Sequence, residues 1–538
     1  MTPVSQKTLY EQAVEQMNAG NYPPALQILS NLCQLSPDNP EVWRLLAEVQ
    51  RRAGDPGASE QALERVLALR PRDVAVLNQL AHLQNDAGRL DSACNNYRTV
   101  LEIEPGNLRA LHDLGLALKS IGHWEEAEQV LRKAAGMAPD NPSVQQNFGS
   151  VLRLTGRTQE AIKALRKAVE LDPTNADHHH WLNELLWMQG DPAFLQSYYH
   201  AKQKRPDDPG LSLQLATHLL FAGRLEEAEQ ELRKALDKAP ERFDLRMTLG
   251  SVLNERECWD DALHQFETAL QQCPNNTTIL DGLGILVLGM GDAERGLEIF
   301  EQLLRYEPDS IASWAHMATA YRMLGRDEYH WLYDMENLLF AGQIETPAGY
   351  ANLDEFNAEL LHDLEQWHFD KQHPLHQSVK GGTQTADHLF NVDQHTIQLL
   401  KNAILDQIRA FDATLKPDPT HPTLKNIPKD VVFSGSWSIR NPVGGFHMNH
   451  HHIEGWYSGP YYVSLPDVIR ADDPEHQGWV TFGQPGLKSI KPLEPDLYVQ
   501  PKEGMMVLFP SYMWHGTIPF YGTDQVRVTV AQDHVGVV

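Results

Sequence analysis

Between residues 7 and 325 the apolar positions fall at helical spacing, interrupted at regular intervals. Ala127, Val130, Leu131 and Ala134 share one helix face, as do Ala161, Leu165 and Val169 one period later. Proline recurs at Pro37, Pro71, Pro105, Pro139, Pro173, Pro206, Pro240, Pro274 and Pro308, every interval being 34 residues except one of 33. Glycine keeps step at Gly20, Gly54, Gly88, Gly122, Gly156, Gly190, Gly223, Gly291 and Gly325, with Glu257 in the one missing place. Glycine suits the tight turn between two helices, and proline cannot continue a helix. The pattern therefore predicts a repeated unit of helix, turn, helix and stop.

Segments such as GHWEEAEQVLRKAAGMAPDNP and GRTQEAIKALRKAVELDPTNA resemble tetratricopeptide (TPR) repeats over residues 7–325. That resemblance implies a solenoid whose concave groove binds protein or peptide segments, or else serves as a scaffold or dimerisation surface. The stretch DHHHWLNELLWMQG departs from the repeat. His178, His179 and His180 are consecutive on a helix and point in different directions, so no metal site is expected there.

After Gly325 the period is lost. Residues 326–352 read as a helical cap or linker, and LDEFNAELLHDLEQW and TIQLLKNAILDQIRAF as further helices around the glycine-rich loop SVKGGTQT. The proline-rich Lys416–Asp430 must be loop. From Val431 the texture changes to short β-rich runs, VVFSGSWSI, GPYYVSLP, GWVTFG, MMVLFP and VRVTVAQD, as an antiparallel barrel or jelly roll reads. The expected fold is multidomain: an all-α solenoid, then residues 353–538 as a double-stranded β-helix with flanking helices.

A chain of 538 residues exceeds one hydrophobic core, which agrees with that division. The net charge of −27 argues against nucleic-acid binding. No apolar run approaches a membrane span, and Met1–Gly20 lacks the layout of a secretory signal, so a cytoplasmic protein is expected. Cys33, Cys94, Cys258 and Cys273 have no metal-binding spacing and imply neither disulfides nor thiolate chemistry.

Chemistry concentrates in GGFHMNHHHIEGWYSGPYYVSLP. Alternation along an extended chain puts His450, His452 and Glu454 on one face and His451 on the other. His515, which follows the run ending in LFP, is a candidate third ligand, and Arg527 stands twelve positions later. Two close ligands, one distant histidine and a following basic residue form the layout of a non-haem iron site with open positions. His447 reads as a neighbour of the site, and Trp437, Trp456, Trp479 and Trp514 as core or pocket wall.

With SGPYYVSLP, the glycine-led strand at 478–482, the P..G...LFPS...H run from Pro501 to His515, and Arg527-x-Thr529, residues 345–535 resemble the Fe(II)- and 2-oxoglutarate-dependent oxygenases. The upstream HQSVKGGTQT is similar to members that carry TPR arms. The resemblance implies Fe(II) held by His450, His452 and His515, with dioxygen and 2-oxoglutarate as co-substrates. Arg527 would pair with the distal carboxylate of 2-oxoglutarate, and Thr529 and Tyr462 would add hydrogen bonds. The wider superfamily uses His-x-Asp/Glu, so His452-x-Glu454 competes with His450-x-His452. The function implied is a dioxygenase hydroxylating a protein or peptide side chain brought by the TPR groove. Alternatives are a small-molecule substrate, a non-catalytic adaptor with a degenerate barrel, and a zinc hydrolase.

Overall fold

The computed structural model describes residues 3–386 and 388–537. The chain forms two compact units, Met1–Ala168 and Val169–Val538.

The helical repeat runs through both units as a TPR solenoid. Every turn glycine named above has a positive φ, from 65° to 91°, and so does Glu257 at 59°. The position demands the left-handed region whichever residue fills it. A third marker keeps the same phase at the start of the first helix of each pair. Asn39, Asp73, Asn107, Asn141, Asn175, Asp208, Asn276 and Ser310 each accept a hydrogen bond from a backbone N–H of the first turn. Arg242 is the exception.

Glu257 is the weak joint of the array. A non-glycine residue in the left-handed region costs roughly 1–2 kcal/mol, and its 3.9 Å contact with the exposed Lys488 returns little. Glu257→Gly is expected to raise the thermal stability of residues 169–538 by about 1 kcal/mol, measured by calorimetry.

The second unit adds a β region to the later repeats. Its strands are β1 (Phe340–Gln343), β2 (Val379–Lys380), β3 (Thr383–Gln384), β4 (Val431–Asn441), β5 (Phe446–His447), β6 (Tyr457–Ser464), β7 (Val480–Phe482), β8 (Leu497–Val499), β9 (Met505–Pro510), β10 (His515–Thr517) and β11 (Arg527–Gly536). A six-stranded sheet runs β1-β9-β6-β11-β4-β3, a three-stranded sheet β10-β7-β8, and β2 pairs with β5. All these pairings are antiparallel. The helices Leu353–Glu365 and His395–Asp412 accompany the larger sheet, Tyr461 donating its hydroxyl hydrogen to Asn357 Oδ1 at 2.7 Å.

Two segments differ from expectation. Residues 326–352 do not form one capping helix: short helices Glu328–Leu332 and Met335–Leu338 lead into β1, an edge strand on β9. The alternating burial of Phe340–Gln343 is a strand's period, too short to be seen beside the helical run before it. The SVKGGTQT loop likewise contains β2 and β3, and Gly382 lies where a Cβ would meet Arg440 O at 2.5 Å.

In this unit the first helix of each repeat pair faces the β region. Trp187 on helix Ala176–Met188 donates to His373 O (2.9 Å). Gly289 on Thr277–Gly289 receives the loop at Lys488, and Ile490 N donates to its carbonyl at 2.9 Å. On Ile311–Leu324, Ala315 O accepts from Trp514 Nε1 (3.0 Å), and Arg322 donates to Gly483 O (3.0 Å). At these contacts the first helices of the later repeats are covered by the protein's own chain. Among the described residues no helix is long and apolar enough to cross a membrane, and all four cysteines are free.

Candidate metal centre

His450 and His452 lie on an irregular extended segment between β5 and β6. His450 forms an isolated antiparallel bridge with His515, each N–H donating to the other's carbonyl at 2.9 Å, and His452 N donates to Ser511 O at 2.9 Å. Gly516 permits this approach, since a Cβ there would meet Asn449 Oδ1 at 2.1 Å. The far side of Ser511–His515 is fixed by the short helix that follows the last repeat: Trp514 N donates to Tyr333 Oη (2.8 Å), and the Tyr512 hydroxyl donates to Leu332 O (2.8 Å).

The three imidazoles therefore converge, with their ligating nitrogens within 4.8 Å of one another. Each has its Nδ1 occupied: His450 at Met448 O (2.8 Å), His515 at Met513 O (2.9 Å) and His452 at the Asp533 carboxylate (2.9 Å). These acceptors fix Nδ1–H, so every Nε2 carries a lone pair. Nε2 of His452 and of His515 stand only 3.3 Å apart. Two lone pairs at that distance repel unless a shared cation lies between them. Burial lowers the pKa of His450 to about 3 and that of His515 well below the usual range, so both are neutral donors.

Glu454 is exposed and lies outside the cluster. His451 turns to the other face, its ring edge-on to Trp514 at 4.7 Å. His447 is not one of the three, although its Nδ1 lies 3.3 Å from Ser378 Oγ.

The same cavity, of about 590 Å³, is lined by Trp437, Tyr462, Thr517, Arg527 and Thr529. Arg527 is 1% exposed. It donates to Gly478 O (3.2 Å), Asn441 Oδ1 (3.3 Å) and Thr517 Oγ1 (3.2 Å), all neutral, while its Nε has no partner. Burial pulls its pKa below the usual arginine value. The buried Tyr462 hydroxyl also lacks a partner; burial raises its pKa to about 12 against the opposing pull of Arg527. A buried cation without a counter-ion, beside an unused hydroxyl donor, fits an anionic ligand.

Two residues here were not singled out from the sequence. Asp533, the partner of His452, follows Arg527, Thr529 and Ala531 at the strand's period of two, a signal that alternation alone supplies. Ser378, whose Oγ lies 3.2 Å from His450 Nε2, is 72 residues upstream, and no local period reaches it. A partner on the non-ligating nitrogen, such as Asp533, governs metal affinity by about 10–100-fold. Asp533→Asn is expected to weaken Fe(II) binding by about that factor without unfolding the chain, read by anaerobic titration.

Comparison with known proteins agrees with this arrangement. Residues 435–533 match the family described as "Putative 2OG-Fe(II) oxygenase", a stretch that covers β6 and β11 as far as Asp533. Residues 16–83 match the tetratricopeptide repeat family and 72–281 the "Cilia and flagella-associated protein 70 C-terminal domain". The chain thus combines TPR repeats with a C-terminal domain of the 2OG-Fe(II) oxygenase type.

A curated relative, tetratricopeptide repeat protein 8 of Caenorhabditis elegans, is 25% identical over 211 residues, 39% of this chain and 40% of that protein. The chain thus spans two fifths of that relative's length. Among solved structures, a tetratricopeptide repeat protein from Parabacteroides merdae is 17% identical with a TM-score of 0.35, covering 53% of this chain and 99% of that one. MamA from Desulfovibrio magneticus is 21% identical with a TM-score of 0.30, covering 31% and 97%.

Proposed function

We propose that the protein is an Fe(II)- and 2-oxoglutarate-dependent dioxygenase. The observation that carries this reading is one cavity holding both three convergent imidazoles, each tied off at Nδ1, and a buried arginine lacking an anion. His450, His452 and His515 would hold the iron, and Arg527 would receive the distal carboxylate of 2-oxoglutarate, with Tyr462 and Thr529 as its hydrogen-bonding neighbours. The chemistry such a centre supplies when bound is oxidative decarboxylation of 2-oxoglutarate to succinate and carbon dioxide, coupled to hydroxylation of a C–H bond.

The chain's own contribution is positional. Asp533 holds the proton on His452 Nδ1 and so keeps Nε2 free to donate. Three uncharged donors leave the double charge of Fe(II) to be balanced by the co-substrate. Arg527 sets the direction of that dianion by hydrogen bonds that a lysine's point charge cannot reproduce. Trp437 and Phe509 line the walls and limit water.

The substrate we infer is a protein or peptide side chain. TPR arrays commonly present such segments, and with the later repeats engaged by the β region, the repeats of residues 1–168 are the natural recruiting surface. The test is succinate release by anaerobically purified protein given Fe(II), 2-oxoglutarate and oxygen. Iron-dependent release supports the reading. No release, together with no iron-dependent binding of 2-oxoglutarate, sinks it and leaves a TPR adaptor.

A further inference from the structure

A second histidine cluster lies where the repeats meet the β region. His180 stands on helix Ala176–Met188, His218 on helix Pro209–Phe221, and His376 on the segment leading to β2. Their ring centroids form a triangle with all three sides 5.4 Å, and their ligating nitrogens lie within 4.8 Å of one another. Of the three consecutive histidines, only His180 takes part. His179 is committed to Ser197 Oγ (3.0 Å) and Pro173 O (3.1 Å).

The cluster has two marks of a ligand site. His218 is fully buried, and its Nδ1 donates to Gln214 O at 3.0 Å, so its Nε2 keeps a lone pair with no partner. His376 Nε2 is likewise without a hydrogen bond and lies 3.5 Å from Glu184 Oε2. Aromatic packing alone does not account for this, because two imidazole nitrogens shut away from water forfeit hydrogen bonds that an ion would replace.

The geometry points to a second metal site, separate from the catalytic centre, in which His180, His218 and His376 bind Zn²⁺ with Glu184 or water as fourth ligand. Zinc takes imidazole nitrogens at about 2.0–2.1 Å in a tetrahedron, so nitrogens now within 4.8 Å would draw in to about 3.4 Å by small ring rotations. Borderline imidazole donors suit zinc and its first-row neighbours better than calcium or magnesium.

The site's role follows from its place. The segment bearing His376 is already tied to the repeats: Lys371 N donates to Met188 O (2.9 Å) and Leu375 N to Glu184 Oε1 (3.0 Å). Two residues past His376, Ser378 reaches His450. Zinc here would clamp two repeats to that segment and hold Ser378 against the catalytic centre.

The test uses the full-length chain without a histidine tag, stripped with chelator, reloaded with Zn²⁺, desalted and assayed for bound metal. Wild type should retain two equivalents, and His218→Ala, His376→Gln and His515→Ala one each. The His218→Ala/His515→Ala double variant should retain none. In the His515→Ala background, Zn²⁺ should still raise the melting temperature and chelator should lower it. If His218→Ala and His376→Gln, folded by circular dichroism, retain as much zinc as wild type, the site does not exist. It is equally refuted if wild type holds one equivalent and His515→Ala none. Should His218→Ala fail to fold, the partly exposed His376→Gln decides alone. Were the triad unable to hold metal, wild type and His515→Ala would each retain one equivalent and His218→Ala none, so the clamp is read from the equivalent lost with His218→Ala, independently of the oxygenase reading on which the second equivalent rests.

Discussion

Replacing His515 with alanine is expected to abolish iron-dependent succinate release. The substitution removes one of three converging donors from a site where the other two cannot move to compensate. His450 is fixed by its backbone bridge and by Met448 O, and His452 by Ser511 O and Asp533. Losing a ligand must exceed the ~10–100-fold that losing an orienting partner costs, so Fe(II) affinity should fall by more than about 10²-fold. Anaerobic Fe(II) titration, with circular dichroism to verify folding, checks this. Glu454→Gln makes the paired control and should leave iron binding unchanged. The opposite pattern, iron lost with Glu454→Gln and kept with His450→Ala, would favour the His452-x-Glu454 register.

Arg527→Lys should raise the KM for 2-oxoglutarate by ~30-fold or more. Breaking a buried, hydrogen-bonded charge pair costs about 2–5 kcal/mol, and each 1.4 kcal/mol is about tenfold. The lysine keeps the charge but loses the planar fork that bonds Gly478 O, Asn441 Oδ1 and Thr517 Oγ1 while presenting Nε. A thermal readout needs no turnover. In wild type, 2-oxoglutarate with iron at about 100 times its Kd should stabilise the fold by ~2.7 kcal/mol, whereas Arg527→Met should show no such shift. A shift of equal size in Arg527→Met would remove Arg527 from the co-substrate site.

The repeat was legible because two kinds of residue mark one phase, each for a backbone reason: turn glycines answer a positive φ and prolines end helices. The structure adds a third mark in the same phase, the Asn, Asp or Ser caps that begin the first helices. Glu257 shows that the phase, not the residue, carries the information. The larger strands were legible from their apolar runs. β1, β2, β3, β5, β8 and β10 were not, because two to four residues hold too little of any period and are strands only by virtue of partners such as β9, β4 and β7.

At the candidate metal centre, His450, His452, His515 and Arg527 stood out by motif and spacing, and Asp533 was within reach of strand parity. Ser378 and the His180–His218–His376 cluster were out of reach. Their members are brought together from three separate elements by docking, and sequence separation gives no sign of it.

The strap at residues 370–376 and the pinned turn at 511–515 also bear on modularity. A β region excised at residue 345 would lose the carbonyl that anchors Trp514 and the helix that anchors residues 371–375, and with them the backbone that aims His515 and Ser378. The transplantable piece is therefore residues 169–538, repeats included. Exchange of recognition arms between proteins of this architecture should be tolerated at a junction near residue 168 and ruinous near residue 330. The last repeats thus serve the histidine site as scaffold, and the first unit is the part expected to tolerate exchange.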